Sequence, residues 1–430
     1  MAGACGIGTQ EVAMPELHKR VLIIGGGTAG ITTAAHLVRA GARQIAILEP
    51  SQTHFYQPLW TLVGAGAVRR EVTARAEAPL IPPGVEWIQA GAAEIDPDNK
   101  SVVTTTGSKI TYDFLVVATG VELDYDEIPG FREALATDSV STNYSYDMAP
   151  KTWKLLREFR GGVALFHMPG TPIKCPGAPQ KIMYLAADYF RRHGVTAKVV
   201  YGSALAAIYG IKEYAAVLST VVERYGIDAR YGHQLVAIEP ARREAIFETA
   251  NGTDKQRVAI QYDLLHVVPP QKPPAFLRSS PLADAQGWVK VDKATMQSPD
   301  YPNVFALGDA GNTPNAKTGA SACKQAPVVA ANLMAVMRDR ETQAQYDGYV
   351  ACPIVTSYSK MLLCEFDYSK TPKPTLPFIN TCKERYDMWL LKKYGLPWMY
   401  WNIALRGRTV PFLGAVTPPV LSAAEALAQP

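Results

Sequence analysis

At 430 residues the chain is too long for one small domain and suits two or three. It is 48% hydrophobic and 19% charged, enough to build a core, and its net charge of +4 with no Lys/Arg run argues against a nucleic-acid partner. The six cysteines (Cys5, Cys175, Cys323, Cys352, Cys364, Cys382) lack CxxC spacing, which excludes a zinc ribbon or a disulfide scaffold. Such usage suits a reducing compartment, where a special cysteine is a catalytic one. The seven histidines are scattered without ligand spacing, so no metal site is expected.

The first twenty residues contain Glu11 and Glu16 and no apolar segment, so neither a signal peptide nor an Arg-rich presequence is expected. The stretch Val21–Glu49 then reads as apolar strand, glycine turn, helix and second strand ending in an acid. Gly25, Gly27 and Gly30 fit G-x-G-x-x-G: one for the tight turn, one for backbone approach to a pyrophosphate, one for close helix–strand packing. Thr28 and Ala29 open the helix, whose free N–H groups and positive dipole end suit a phosphate. Glu49 is placed to accept from a ribose, which points to FAD or NAD rather than a 2′-phosphorylated nucleotide.

Pro50 and Pro58 keep the next segment, PSQTHFYQPLWTLVGAG, from being a regular strand. It is expected to reach over the cofactor, with Gln57 and its aromatic neighbours near a flavin. Val85–Ile95 reads as one strand whose backbone near Ala92 can hold an adenine edge, and Ile110–Gly120 as a strand closing on the turn Ala118-Thr119-Gly120. Gly162–Gly170 sits where a second dinucleotide fold should begin. There Pro169 removes an N–H that a phosphate would need, and Cys175 lies just before a proline-primed helix. A Rossmann-like domain with a thiol in place of a nucleotide site is the expectation. The strand before Gly308-Asp309 again ends in an acid, suited to a sugar-alcohol hydroxyl, with a helix starting near Lys317-Thr318.

Beyond residue 340, Cys352 and Cys364 fall in alternating, strand-like stretches. The segment CKERYDMWLLKKYGLPWMYWNIALRGR places Trp and Tyr beside Lys and Arg in two short amphipathic pieces broken by Pro397. That composition suits a membrane interface; a hairpin packed on the core or on another subunit is the alternative. No apolar run approaches the ~18–20 residues of a membrane span.

HFYQPLWTLVGAG, KCPGAPQKIMYL, YPNVFALGD and YDGYVACPIVTSY together resemble the mitochondrial-type (type II) sulfide:quinone oxidoreductases, within the two-dinucleotide-fold flavoproteins. The similarity runs from Val21 to about Arg408. It implies an α/β fold of two Rossmann-like domains and a C-terminal membrane-associating region. The first domain would take residues 18–145 and 281–340, the second 146–280, and the C-terminal region 341–430. FAD would meet Thr28, Ala29, Glu49, Gln57, Ala92, Asp309 and Lys317. The resemblance makes Cys175 and Cys352 the redox pair, with a persulfide on Cys352 and a thiolate on Cys175. Lys174 and a helix N-terminus would lower the Cys175 pKa.

The implied substrates are hydrogen sulfide and a ubiquinone-type quinone, with glutathione, sulfite or a second sulfide taking the sulfane sulfur. The implied location is peripheral, on a bacterial or mitochondrial inner membrane, and a homo-oligomer stays open. Cys5, Cys364 and Cys382 read as inert packing, and the resemblance assigns no role to Cys323. A type II NADH:quinone oxidoreductase, or a flavin-binding interaction protein, is the alternative. Removal of the chain from Cys382 onward is expected to release it from membranes while sparing flavin reduction by sulfide.

Overall fold

The computed structural model describes residues 17–251 and 254–408. Cys5, Glu11, Glu16 and the part of the C-terminal region after Arg408 lie outside the described residues.

Strand β1 (Leu17–Ile24), helix α1 (Thr28–Arg39) and strand β2 (Ile45–Leu48) form the expected unit, with β1 and β2 parallel. The chain turns sharply into α1 because Gly25 has φ +105°, and α1 lies close to β1 because Gly30 has no side chain. A Cβ at Gly30 would lie 1.8 Å from the Gly25 carbonyl oxygen. These strands sit in a seven-stranded sheet with Val85–Ile88 beside β2 and Lys109–Val117 beside β1. Lys109–Val117 is long enough to serve two more partners. Its first residues pair antiparallel with Ser101–Thr104, and its last pair parallel with Val304–Ala306. Thus a strand from much later in the chain, Val304–Ala306, joins this sheet.

Val85–Ile95 is not one strand. The structure divides it into Val85–Ile88 and Ala92–Asp96, at opposite ends of the strand order. The chain leaves the sheet at Gln89-Ala90-Gly91, where Gly91 N–H turns to the Thr105 hydroxyl and Thr105 N–H to the Gly91 carbonyl.

A second, five-stranded parallel sheet has the order Val140–Ser141, Leu264–His266, Gly162–Met168, Ala197–Ser203, Asp228–Arg230. Its central strands Gly162–Met168 and Ala197–Ser203 carry buried, mostly apolar runs, as a sheet covered on both faces requires, while the edge strand Asp228–Arg230 is polar. The antiparallel strands His233–Glu239, Glu244–Asn251 and Asp254–Gln261 follow. Val350–Ser357 and Lys360–Phe366 form a hairpin with Cys352 directly across from Cys364.

The C-terminal aromatics do not make two pieces broken at Pro397. Tyr386–Leu390, a π-helical turn Leu391–Gly395, and Leu396–Asn402 form one helical run. Pro397 falls inside this run, directly after the π-helical turn, where the regular hydrogen-bond ladder is already interrupted. One face of the run packs inward through Met388, Trp389, Lys392, Tyr400 and Trp401, while Tyr386, Tyr394 and Trp398 stay exposed. Among the described residues no helix is long and apolar enough to cross a membrane.

Candidate active site

A cleft of about 360 Å³ opens between the two sheets, within the usual size for small-molecule sites. Gly25, Gly27, Thr28, Ala29, Glu49, Gln57, Gly120, Gly308, Asp309, Lys317 and Cys175 all line it. Gly30, Ala92 and Cys352 do not; Gly30 acts through packing, Ala92 is buried in its strand at the sheet edge, and Cys352 is buried behind Cys175.

The first end of the cleft is the start of α1. No side chain caps this helix, so the N–H groups of its first turn are free. A Cβ at Gly27 would meet nothing within 4 Å, which leaves the turn open on its cleft side. Beside it, Glu49 accepts from the Gly26 N–H (2.8 Å) and the Ser51 N–H (2.7 Å). A pyrophosphate on free N–H groups with a carboxylate at the adjoining ribose is the arrangement a dinucleotide needs. At the far wall Lys317 Nζ donates to the carbonyls of Asp309 (2.8 Å) and Gly311 (2.9 Å). Burial lifts the Asp309 carboxyl above its ordinary value against the pull of Lys317 and Lys174, and brings Lys317 and Lys174 down to about 8. The helix Gly319–Val336 starts as expected, with Thr318 Oγ1 accepting from the Ser321 N–H.

The thiol end is built differently. In the second sheet the turn after Gly162–Met168 is no phosphate cradle; a loop runs on to Ala178 before the helix Ala178–Arg192 begins. That loop is pinned across the domain boundary, since Cys175 N–H donates to the Lys317 carbonyl (2.6 Å) and Lys174 N–H to Gln271 Oε1 (2.8 Å). Cys175 itself sits at φ +51°, a left-handed conformation uncommon for a residue with a side chain. The tertiary contacts hold it there at a cost, a pattern that clusters at functional sites.

Cys352 arrives from the hairpin. A Cβ at Gly177 would lie 2.5 Å from Cys352 Sγ and 2.3 Å from Ile354 Cδ1, so only glycine lets the hairpin approach this closely. Both cysteines are free thiols, Cys175 half-buried and Cys352 buried. The Cys352 thiol is hydrogen-bonded to the Cys175 sulfur and, with the cations of Lys181 and Lys392, holds Cys175 well below the usual thiol range despite burial. The same hydrogen bond and burial push Cys352 well above it. Of the two, Cys175 is the sulfur whose surroundings favour the charged form.

Lys174 is not the cation that touches Cys175. Its Nζ lies over the Trp60 ring, whereas Lys181 Nζ stands 3.2 Å from Cys175 Sγ. Lys181 is 1% exposed; burial alone would lower its pKa, but the Cys175 sulfur, as charge and hydrogen-bond partner, outweighs that and raises it. Lys392, also 1% exposed, donates to the Pro58 carbonyl (2.8 Å), and burial followed by repulsion from Lys181 takes it down to about 7. Both lysines lie close enough to Cys175 to favour its charged form. Lys181 stood in the KCPGAPQK motif, six residues after Cys175. Lys392 gave no signal, because a lysine in an amphipathic segment normally faces water. Removing the chain from Cys382 would take Lys392 out of the thiol pocket, which the expectation of an intact sulfide half-reaction did not include.

For the other described thiols burial outweighs any neighbouring cation. Burial pushes Cys323 up to about 12 and Cys364 and Cys382 above the usual range.

Residues 19–156 match the family model for pyridine nucleotide-disulphide oxidoreductases. The chain is 43% identical over 409 residues to the mitochondrial sulfide:quinone oxidoreductase of Mus musculus, covering 94% of this chain and 90% of that one. The corresponding protein of Dictyostelium discoideum is 42% identical over 395 residues, covering 90% and 86%. Among solved structures, the sulfide:quinone oxidoreductase from Aquifex aeolicus superposes with a TM-score of 0.75 at 23% identity, covering 93% of each chain, and supports the fold.

Proposed function

The chain belongs to the sulfide:quinone oxidoreductase family and oxidises sulfide with a quinone as acceptor; on that premise we propose that Cys175 and Cys352 are its working thiols. FAD is the cofactor, and the uncapped start of α1, the open side of Gly27 and the carboxylates of Glu49 and Asp309 fit it. When bound, FAD supplies the two-electron link between a thiolate and the quinone. Thr28, Ala29 and Glu49 would hold its phosphate and ribose, and Gln57, Gly120, Gly308, Asp309 and Lys317 line the rest of its bed.

The chain's own part is sulfur chemistry. From an oxidised Cys175–Cys352 bridge, hydrosulfide held by Lys181 and Lys392 attacks Cys352. The new S–S bond leaves a persulfide on Cys352, the old one breaks, and its electron pair leaves on Cys175 as thiolate. Departure from Cys175 rather than Cys352 follows from their unequal environments, since Cys175 carries the contact with Lys181. A second nucleophile (glutathione, sulfite or another sulfide) then attacks the outer sulfur and releases the Cys352 thiolate.

The exposed Tyr386, Tyr394 and Trp398, with Phe378 at 82% exposure, form the face that would rest on a membrane and meet the quinone. A peripheral position on a mitochondrial or bacterial inner membrane suits that face. The observation that carries the assignment is that Cys175, which lines the dinucleotide cleft, has Lys181 Nζ 3.2 Å from its sulfur and Cys352 packed next to it against Gly177. Cys175→Ser and Cys352→Ser should each abolish sulfide-dependent reduction of a soluble quinone while keeping FAD content. Near-normal turnover in either variant would overturn the thiol assignment.

A further inference from the structure

The C-terminal helical run also reaches the other end of the cleft. Tyr400, 5% exposed, has its Oη 2.8 Å from Thr28 Oγ1 and 2.5 Å from His54 Nε2. His54 Nδ1 lies 3.1 Å from Glu77 Oε2, and both residues are buried. Donor accounting for a neutral ring gives the chain one direction. The Glu77 carboxylate accepts from Nδ1–H, Nε2 accepts the Tyr400 hydroxyl, and the Tyr400 oxygen is left to accept from Thr28.

The other carboxylate oxygen, Glu77 Oε1, is buried and has no partner among the described residues. It faces the glycine turn: a Cβ at Gly26 would lie 2.6 Å from it and 2.7 Å from Glu49 Cγ. A buried carboxylate oxygen without a donor is costly, and in this cleft the hydroxyl groups of a ribose are the donors at hand. We propose that Tyr400, His54 and Glu77 are positioning residues for the adenosine half of FAD: the chain fixes Thr28 at the head of α1 and aims Glu77 Oε1, beside Glu49, at the ribose hydroxyls. The inference rests on the reading that FAD lies along the Gly25–Thr28 turn. It makes a helix 372 residues from Thr28 in sequence part of the cofactor site.

The test is an FAD titration of full-length apoprotein, followed by flavin fluorescence. Tyr400→Phe keeps the ring against Tyr56 (centroids 4.4 Å apart) and removes only the hydroxyl. It should weaken FAD binding by about ten-fold, the effect of one or two lost hydrogen bonds. Glu77→Gln should weaken it too. The double variant Tyr400→Phe/His54→Gln should be no weaker than Tyr400→Phe alone, because one chain is broken once. Asn402→Ala, exposed on the same helix, should bind FAD normally.

Unchanged FAD affinity in Tyr400→Phe overturns the proposal. So does a loss of affinity matched by a lower melting temperature of the apoprotein, which would mark a merely structural role. Glu49→Ala separates the two levels. If it weakens binding and Tyr400→Phe does not, this inference alone fails; if neither does, the placement of FAD fails with it.

Discussion

At its glycine end the cleft is made largely from one stretch, Val21–Glu49, whereas its thiol end draws Cys175, Lys181, Cys352 and Lys392 from three separate segments. The glycine end works through backbone N–H groups, whose positions follow once β1, the turn and α1 form. The thiol end works through buried charges, and each is tolerable only while its counter-charge is present. The first should therefore be sensitive to substitutions within its own stretch. The second should be sensitive to packing changes far from the sulfurs.

The largest expected effect tests the glycine end. Glu49→Arg replaces the ribose acceptor with a cation and should weaken FAD by roughly a hundred-fold, the ~2–3 kcal/mol of a charged hydrogen bond. Equilibrium dialysis of flavin measures it, and full occupancy at stoichiometric FAD would remove Glu49 from the site.

Next comes the close approach that assembles the thiol end. Gly177→Ala pushes a methyl group into Cys352 Sγ and Ile354 Cδ1, and overpacking of that kind costs about 1–3 kcal/mol. Denaturant unfolding should show the loss, and sulfide-dependent turnover should fall with it. A variant as stable and as active as the parent would mean that the hairpin has room to move away.

Lys181→Met tests the electrostatics. The Cys175 pKa is depressed in the fold, so removal of a contacting cation raises it and shifts thiolate formation to higher pH. The pH profile of Cys175 alkylation should move upward, and alkylation at mildly acidic pH should slow. A profile that stays in place would assign the depression to Cys352 and Lys392.

The smallest effect is expected at Cys382, half-buried and outside both ends. Cys382→Ser should change stability by no more than about 0.5 kcal/mol and leave turnover near normal.

The sequence by itself determined the glycine end and the order of the domains, because those depend on short-range periodicity and on glycines at fixed spacing. It also carried the Cys175 and Cys352 assignments, through motifs that each lie within a dozen residues. Tertiary structure alone divided Val85–Ile95 between two ends of a sheet, since a local pattern cannot say where a strand finds its partner. It alone moved the decisive cation from Lys174 to Lys181, because side-chain direction in the loop is set by the Cys175–Lys317 backbone bond. The aromatic C-terminal run shows the division most clearly. Its composition suits an interfacial segment, and Tyr386, Tyr394 and Trp398 are exposed. The inward turn of Lys392 and Tyr400 was decided by cavities whose walls come from the other end of the chain, and no local pattern encodes those walls.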